Sequence, residues 1–563
     1  MPNNDLWQFS CSALSAEQCR VLAFHGEDEI SKGYAFSILL VAPGVAAKDA
    51  RQSQEKLLKS PLLTLRGTTK GKAQAFVWNG MAAEVSWLFA SQGGSVFRIL
   101  LQPRSARLRL SVHSRIFLVM GLPQICDKIL GHENLVAGND YAVNLKAKYI
   151  PRPFTSQYNE SAFNFLSRHL ERVGAYSYIR QTENGDTLVL ADAQSGVEDL
   201  PLRAALDWSD GHADEALLAF VRTLTAHPDT VTLRDYCTEK PGVTTQTVSD
   251  KTALWGQCEY NLFGDIGMFG EMDYFSRDFT PEDADARAKE LADARLRALK
   301  SLSDRVKGKS AVPWLRAGYS ITLDNEKYQI LGVNHHCVQA NDGIEKNLLE
   351  QARQAGFETG FENEEANTGY HNSFVCHPLN AGAYAPLPET PRPMMKGLVS
   401  VAIDAGGKGQ YAEIDGQGRY KVRFHYAEKV IHADSADTQD GNNSVPLRMI
   451  QSHAGANSGT HFPLLKGVEA LAAFVDGDPD RPVLVGALPN PAQPSVVADT
   501  NQQSNIIRTP GGNKITLTDT EGLQNTTIET PGGHKIIMHD ESGKREIRLQ
   551  SSDGCSYMRL KEQ

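Results

Sequence analysis

The stretches "TPGGNKITLTDTEG", residues 509–522, and "TPGGHKIIMHDESG", residues 530–543, are near copies of each other, 21 residues apart. A shorter period lies beneath. Apolar residues two apart, as on one face of a strand, occur at Ile515/Leu517, Ile536/Met538, Ile547/Leu549 and Met558/Leu560, with Thr526/Ile528 as a partial member. Successive pairs are 10 or 11 residues apart. Polar residues fill alternate positions: Lys514, Thr516, Lys535, Arg548 and Arg559. Turn-formers separate the strands: Gly511-Gly512, Glu521-Gly522, Gly532-Gly533, Ser542-Gly543 and Asp553-Gly554.

This pattern predicts a zigzag of very short strands, each offering about two apolar side chains to one side. Short isolated strands are marginal in water, and each repeat must bury its face on something. Three ribbons wound about one axis close each other's edges and bring the pairs together. The preferred reading is therefore a trimeric β-prism, or triple-stranded β-helix, with Ile515, Leu517, Ile528, Ile536, Met538, Ile547, Leu549, Met558 and Leu560 as its core. The alternatives are a meander packed on its own chain and a monomeric β-solenoid. Two inward residues per strand make a poor single-chain core.

Upstream, residues 1 to about 150 read as strands with turns, and "LVMGLPQICDKILG" as a short helix. "NESAFNFLSRHLERVG" has helical spacing at Phe163, Leu166, Leu170 and Val173, with Gly174 at its C-terminal cap. A hairpin around Asn184-Gly185 follows. Residues 201–280 look mostly β. A second helix opens at Thr280-Pro281, where Thr280 can cap and Asp283 can bond back. "YSITLD" and "KYQILGVNHHC" are strand candidates. The prolines 378, 386, 388, 391 and 393 mark a stiff boundary, and short strands with glycine turns from Gly397 to about Asn490 suggest a small β-barrel. The resulting organisation is a domain over 1–370, a Pro-rich linker over 371–396, a barrel over 397–490, a linker over 491–504 and the spike over 505–563.

With 563 residues, 41% of them hydrophobic and 22% charged, the chain has material for several cores. Its net charge of −10 argues against a nucleic-acid binder, which needs clustered Lys and Arg. The start is polar and mixed, without an early apolar signal, and no run of about 20 apolar residues occurs. Eight scattered cysteines without a C-x-x-C pair fit free thiols made in a reducing cytoplasm.

Several stretches resemble the VgrG family, the spike-tip proteins of type VI secretion, themselves similar to fused phage tail hub and spike proteins. They are "QYNESAFNFLSRHLERVGAYSYI", "VTLRDYCTEKPG", "YHNSFVCHPLNAGAYAPLPETPRPMMKG", "EIDGQGRYKVRFHYAE" and "HAGANSGTHFPLLKGVEALAAFVDGDPDRPVLVGALPN", the last holding the block Asp478-Pro479-Asp480-Arg481-Pro482. The likeness covers nearly the whole chain. Two departures stand out: Tyr426 replaces a usual Trp, and "SVPLRMIQ" replaces a strand usually opened by Trp and Arg-Val. The resemblance implies a mainly β multidomain chain with a few helices. It implies two hub β-barrels, an oligonucleotide/oligosaccharide-binding (OB) fold barrel and the homotrimeric spike. It further implies a seat on an Hcp-like hexameric tube, a PAAR-like tip protein at the blunt end near Met558–Lys561, baseplate partners and effector cargo. The expected function is a structural spike, made in the cytoplasm without a signal peptide, assembled on the baseplate and injected across target membranes. A phage or tailocin hub is the alternative, and a cell-wall hydrolase a more distant one.

Enzymatic signatures are missing. Neither H-E-x-x-H nor G-x-S-x-G occurs. "KGKS" at Lys307–Ser310 lacks the leading glycine of a phosphate loop, Ser303 standing there. His335-His336-Cys337 and a histidine after Cys376 could in principle ligate a metal, but strand-end histidines are more often structural. Glu362, Glu364 and Glu365 read as a solvated loop. A phage spike carries a lysozyme between barrel and prism, whereas Pro491–Ser504 is too short for a domain. No catalytic residue, cofactor, metal or nucleic-acid partner is expected.

Overall fold

The computed structural model describes residues 6–561 except 69–74, 92–93, 194, 201–216, 237–242, 250–255, 262–280, 341, 358–368, 404–408, 433–445 and 544. Strand outweighs helix, 47% against 17%, in keeping with a mainly β chain with a few helices. The chain divides into two compact units. The first comprises Met1–Met395, Ala427–Gln439 and Asp478–Arg481; the second comprises Lys396–Tyr426, Asp440–Gly477 and Pro482–Gln563.

In the first unit an eleven-stranded sheet runs, edge to edge, through Trp7–Cys11, Leu63–Thr68, Ala75–Ser91, Gly94–Gln102, Gly33–Ala42, Arg20–Glu29, Glu326–Val338, Gly369–Pro378, Asp304–Ser310 and Leu217–Leu224. The eleventh strand, Ser320–Leu323, pairs beside Glu326–Val338. The seam between early and late chain is the antiparallel pairing of Arg20–Glu29 with Glu326–Val338. Alternation along these strands puts Phe24, Phe36, Phe76, Trp78, Ile99 and Ile330 into one core, where Trp7 meets Phe24 and Phe76 edge-on. Aromatic edges meeting faces in this way add to plain area burial.

Among the described residues five α-helices accompany the strands. Helix α1 (Ala50–Leu58) and helix α5 (Gly343–Gln354) were not anticipated, although α5 carries the signals: Asp342 accepts from Glu345 N at its N-cap, and Leu348, Leu349 and Ala352 are buried. Helix α2 (Leu122–His132), helix α3 (Ala162–Arg172) and helix α4 (Pro281–Ser303) fall where periodicity puts them. Thr280 lies outside the described residues. Ser161 caps α3, and Gly174 ends it at φ +70°. The hairpin Tyr176–Thr182/Gly185–Ala191 forms as read. Most of Gly369–Pro378, assigned to the linker from sequence, is a strand paired on both sides, so the stiff segment starts later.

The second unit holds a five-stranded antiparallel sheet ordered Pro446–Leu447, Tyr420–Phe424, Val399–Ile403, Glu469–Phe474, Pro482–Ala487. Val401, Val422, Ala470, Ala472 and Leu484 are fully buried on its inner face. Phe424 and Tyr426 rings lie 5.3 Å apart.

Candidate functional site

The tail is a six-stranded antiparallel meander: Ser504–Arg508, Lys514–Thr518, Asn525–Glu529, Lys535–His539, Glu546–Gln550 and Tyr557–Lys561. Register is continuous across it. Ile507 faces Ile515, Ile515 faces Ile528, Ile528 faces Ile536, Ile536 faces Leu549, and Leu549 faces Met558. A parallel column joins Leu517, Thr526, Met538, Ile547 and Leu560. All nine residues singled out from sequence thus share one face in two adjacent ladders. Ile507, inside the segment 505–563 read as the spike but not among its expected core residues, begins the first ladder. Its signal was present, because "IRTPGG" at 507 repeats as "IETPGG" at 528, again 21 residues on.

These ladders are left to solvent by their own chain. Ile536 and Met538 are 39% and 40% exposed, and exposure rises to 64% at Met558 and 61% at Leu560. Ile515 is half-buried. A contiguous apolar face of this kind marks an interaction surface rather than ordinary surface scatter. The polar members of the columns are Asn505 and Thr526.

The turns explain why the repeat is so regular. Gly512 N donates to Thr509 O at 2.9 Å, and Thr509 Oγ1 accepts from Asn513 N at 3.1 Å. Twenty-one residues on, Gly533 N donates to Thr530 O at 2.9 Å, and Thr530 Oγ1 accepts from His534 N at 3.2 Å. Gly512 and Gly533 sit at φ +93° and +88°, a conformation that glycine alone adopts readily. On the opposite face charges pair along the rungs: Lys535 with Glu529 at 3.0 Å, and Glu546 with Arg548 at 2.6 Å and with Arg559. Burial pushes the Glu546 pKa up, but the Arg559 hydrogen bond and both guanidinium charges hold it below the usual carboxylate range.

The other residues flagged in the sequence sit in structural surroundings. His335 is buried against Phe36 and Trp78, with Nδ1 2.6 Å from Tyr370 Oη; burial takes its pKa down to about 3. Burial raises the thiol pKa values of Cys337 and Cys376. His377 Nδ1 and Nε2 face the carbonyls of Asp304 and Gly382. Lys307–Ser310 lies inside a strand instead of a strand-to-helix loop, and Ser310 Oγ is spent on Asn372. Glu362, Glu364 and Glu365 lie outside the described residues. Among the described residues no three His, Cys, Asp or Glu side chains gather as a metal site.

The Asp478-Pro479-Asp480-Arg481 block, by contrast, has a clear task within the first unit. Asp480 accepts from Ser156 N at 2.6 Å and lies 3.0 Å from Arg152 Nη1. Asp478 accepts from Asp480 N at 2.9 Å and pairs with Arg392 at 2.5 Å. Beside them Arg168 grips Glu160 and donates to Ser156 O. These carboxylates are buried, and each has the donors that burial demands.

The sequence pattern of the phage tail baseplate hub (GPD) family matches residues 27–341, more than half of the chain and most of the large sheet. The chain belongs to that hub family. This hub protein is also 24% identical over 494 residues to the type VI secretion system spike protein VgrG1b of Pseudomonas aeruginosa, covering 86% of its own length and 60% of the relative's. Its fold is similar to an Escherichia coli type VI secretion component, the c3393 protein, described as structurally similar to bacteriophage T4 tail proteins gp27 and gp5. The TM-score there is 0.56 at 20% identity, covering 85% of this chain and all of that one. A PdpA–VgrG complex matches at TM-score 0.58 and 11% identity, covering 97% of each chain. Among the described residues no helix is long and apolar enough to cross a membrane.

Proposed function

We propose that this hub-family chain is a structural spike of a type VI-like contractile machine, working as a homotrimer. The observation that carries the reading is the pair of ladders running the length of the ribbon with nothing from their own chain over them. Three ribbons turned face-inward about one axis bury Ile515, Leu517, Ile528, Ile536, Met538, Ile547, Leu549, Met558 and Leu560 and leave the charged rungs outward. Closure also pairs the free edges, which otherwise template aggregation, and a symmetric ring needs only one self-complementary contact.

On this reading residues 505–563 form a prism and 397–490 an OB-fold collar, while the large sheet belongs to a hub that seats on an Hcp-like hexameric tube. A PAAR-like protein caps the blunt end, and effector cargo travels with the spike when sheath contraction drives it across a target membrane. Likeness to spike proteins supports a mechanical role rather than a catalytic one. The hub-family match also suits a phage or tailocin baseplate, and neighbouring genes discriminate: secretion ATPase and membrane-complex genes, or tail-fibre and lysis genes. The deciding measurement is mass in solution with and without the residues after Asn505. Three copies for the full chain and one for the shortened chain are expected. A full chain that runs as a single copy removes the proposal.

A further inference from the structure

The first unit holds a cleft of about 580 Å³, within the range of ligand sites, that the spike reading does not use. Its floor is apolar, with Ile30 and Leu331 buried side by side and Ile30 N donating to Leu331 O at 2.9 Å. One wall is α3, presenting Phe163 and Glu171. Across it runs the extended segment 384–391, tied at both ends. Ala385 N donates to Ser301 Oγ at 3.2 Å. Glu389 N and Thr390 N donate to Glu171 Oε2 at 2.9 and 2.8 Å, and Thr390 Oγ1 donates to Glu171 Oε1 at 2.6 Å. Prolines 386, 388 and 391 keep this strap extended.

Two backbone features shape the cleft. Ser31 holds φ +65° without being glycine, and the Glu326–Val338 strand bulges between Ile330 and Gly332 where Leu331 enters the floor.

The charges decide what fits. Arg109 stacks on Phe163, its Cζ 3.4 Å from the ring centroid, and spends one donor on Lys32 O at 3.1 Å. Arg305 Nε donates to a backbone carbonyl, Ser301 O, at 3.4 Å. Among the described residues neither guanidinium has a carboxylate in ion-pair range. The carboxylates nearby are placed otherwise. Glu29 pairs with Lys32 at 2.5 Å, Glu171 is filled by the strap, and Glu389 is exposed at the rim. Burial without a counter-charge lowers the Arg109 pKa. A stacked guanidinium keeps its in-plane N–H edge free, and that edge matches a carboxylate two bonds at a time. Leu302, 39% exposed at the mouth, offers an apolar neighbour.

We infer that this cleft binds an extended peptide segment that alternates carboxylate and aliphatic side chains, with Arg109 and Arg305 taking the carboxylates and the Ile30–Leu331 floor the aliphatic groups. Every lining residue belongs to the first unit, and none of the nine ladder residues takes part. The test uses the full chain and a fluorescein-labelled octapeptide of alternating Glu and Leu, followed by anisotropy, beside the same peptide with Gln for Glu. Saturable binding is expected for the Glu peptide. It should weaken at least about tenfold with the Gln peptide and with either Arg109→Gln or Arg305→Gln, the weight of one charge-assisted hydrogen bond. Arg51→Gln, on exposed α1, should leave binding unchanged. Circular dichroism checks that each variant is folded, and either arginine variant suffices if the other fails. Absence of saturable binding, equal affinity for the two peptides, or indifference to the folded arginine variants overturns the inference.

Discussion

Replacing Ile536 and Met538 together with Asp tests the ribbon ladders at their middle. Both side chains are about two-fifths exposed in the single chain, 39% and 40%. Covering that remainder in an assembly stabilises it by roughly 1 kcal/mol per side chain, a fraction of the ~1.5–3 kcal/mol for full burial of such groups. Ile536 lies between the apolar Ile528 and Leu549, and Met538 between Thr526 and Ile547. In a trimer the double change therefore brings six carboxylates toward one axis. Loss of the apolar gain is the smaller effect. Desolvating unpaired carboxylates costs several kcal/mol each, so the total, on the order of 10 kcal/mol or more per trimer, exceeds what a rung contributes. In the single chain the same positions face water, and the strand hydrogen bonds are untouched. Light scattering coupled to size exclusion should report one copy with a far-ultraviolet spectrum close to the parent's. A variant that still elutes with the mass of three chains refutes the assignment of these residues to a shared core.

Further expectations concern the fold. Asp480→Asn keeps an acceptor for Ser156 N but removes the charge beside Arg152; breaking a buried pair of this kind costs about 3 kcal/mol. All six tryptophans lie at or before Trp314, so the urea midpoint of tryptophan fluorescence reads the first unit directly. Gly512→Ala forces a left-handed residue, a penalty of about 1–2 kcal/mol, and sets a Cβ 3.2 Å from Pro531 Cγ, whereas at Gly522 the same Cβ meets open space. Thermolysin should therefore cut the ribbon of Gly512→Ala faster than that of Gly522→Ala. Asp28 has its pKa raised to about 7, chiefly by burial, against the opposing pull of Ala317 N and the Arg316 charge, with Glu29 adding to the rise. A carboxyl raised in the folded state contributes stability below its unfolded pKa of 3.8, and that contribution is lost as pH rises toward 7. Asp28→Asn should flatten the urea midpoint between pH 4 and 7 and raise it at pH 8 relative to the parent.

Legibility differed by element. Helices α2 and α3 could be read because a 3.6-residue period meets a recognisable cap or stop, as at Ser161 and Gly174. Helix α5 carries comparable signals, an Asp342 N-cap and buried Leu348, Leu349 and Ala352, in a part of the chain otherwise dominated by strands. The strand at Gly369–Pro378 was hidden by its neighbours: prolines just beyond it suggested a linker, while its pairing partners, Asp304–Ser310 and Glu326–Val338, lie far away in sequence. The role of Asp480 was invisible for the same reason, since its partners Arg152 and Ser156 stand more than 300 residues earlier.

The ribbon is the limiting case of what sequence alone determines. Side chains alternate with period two, and hairpin turns set register locally, so the near-repeat at residues 509 and 530 already dictated which nine residues share a face. The cleft beneath residues 384–391 is the opposite. Arg109, Phe163, Arg305 and the strap come from four separate stretches, and neither spacing nor composition connects them. Only long-range strand pairing, closing the early chain on the late chain, could decide that two guanidiniums would line one cleft, neither in ion-pair range of a carboxylate among the described residues.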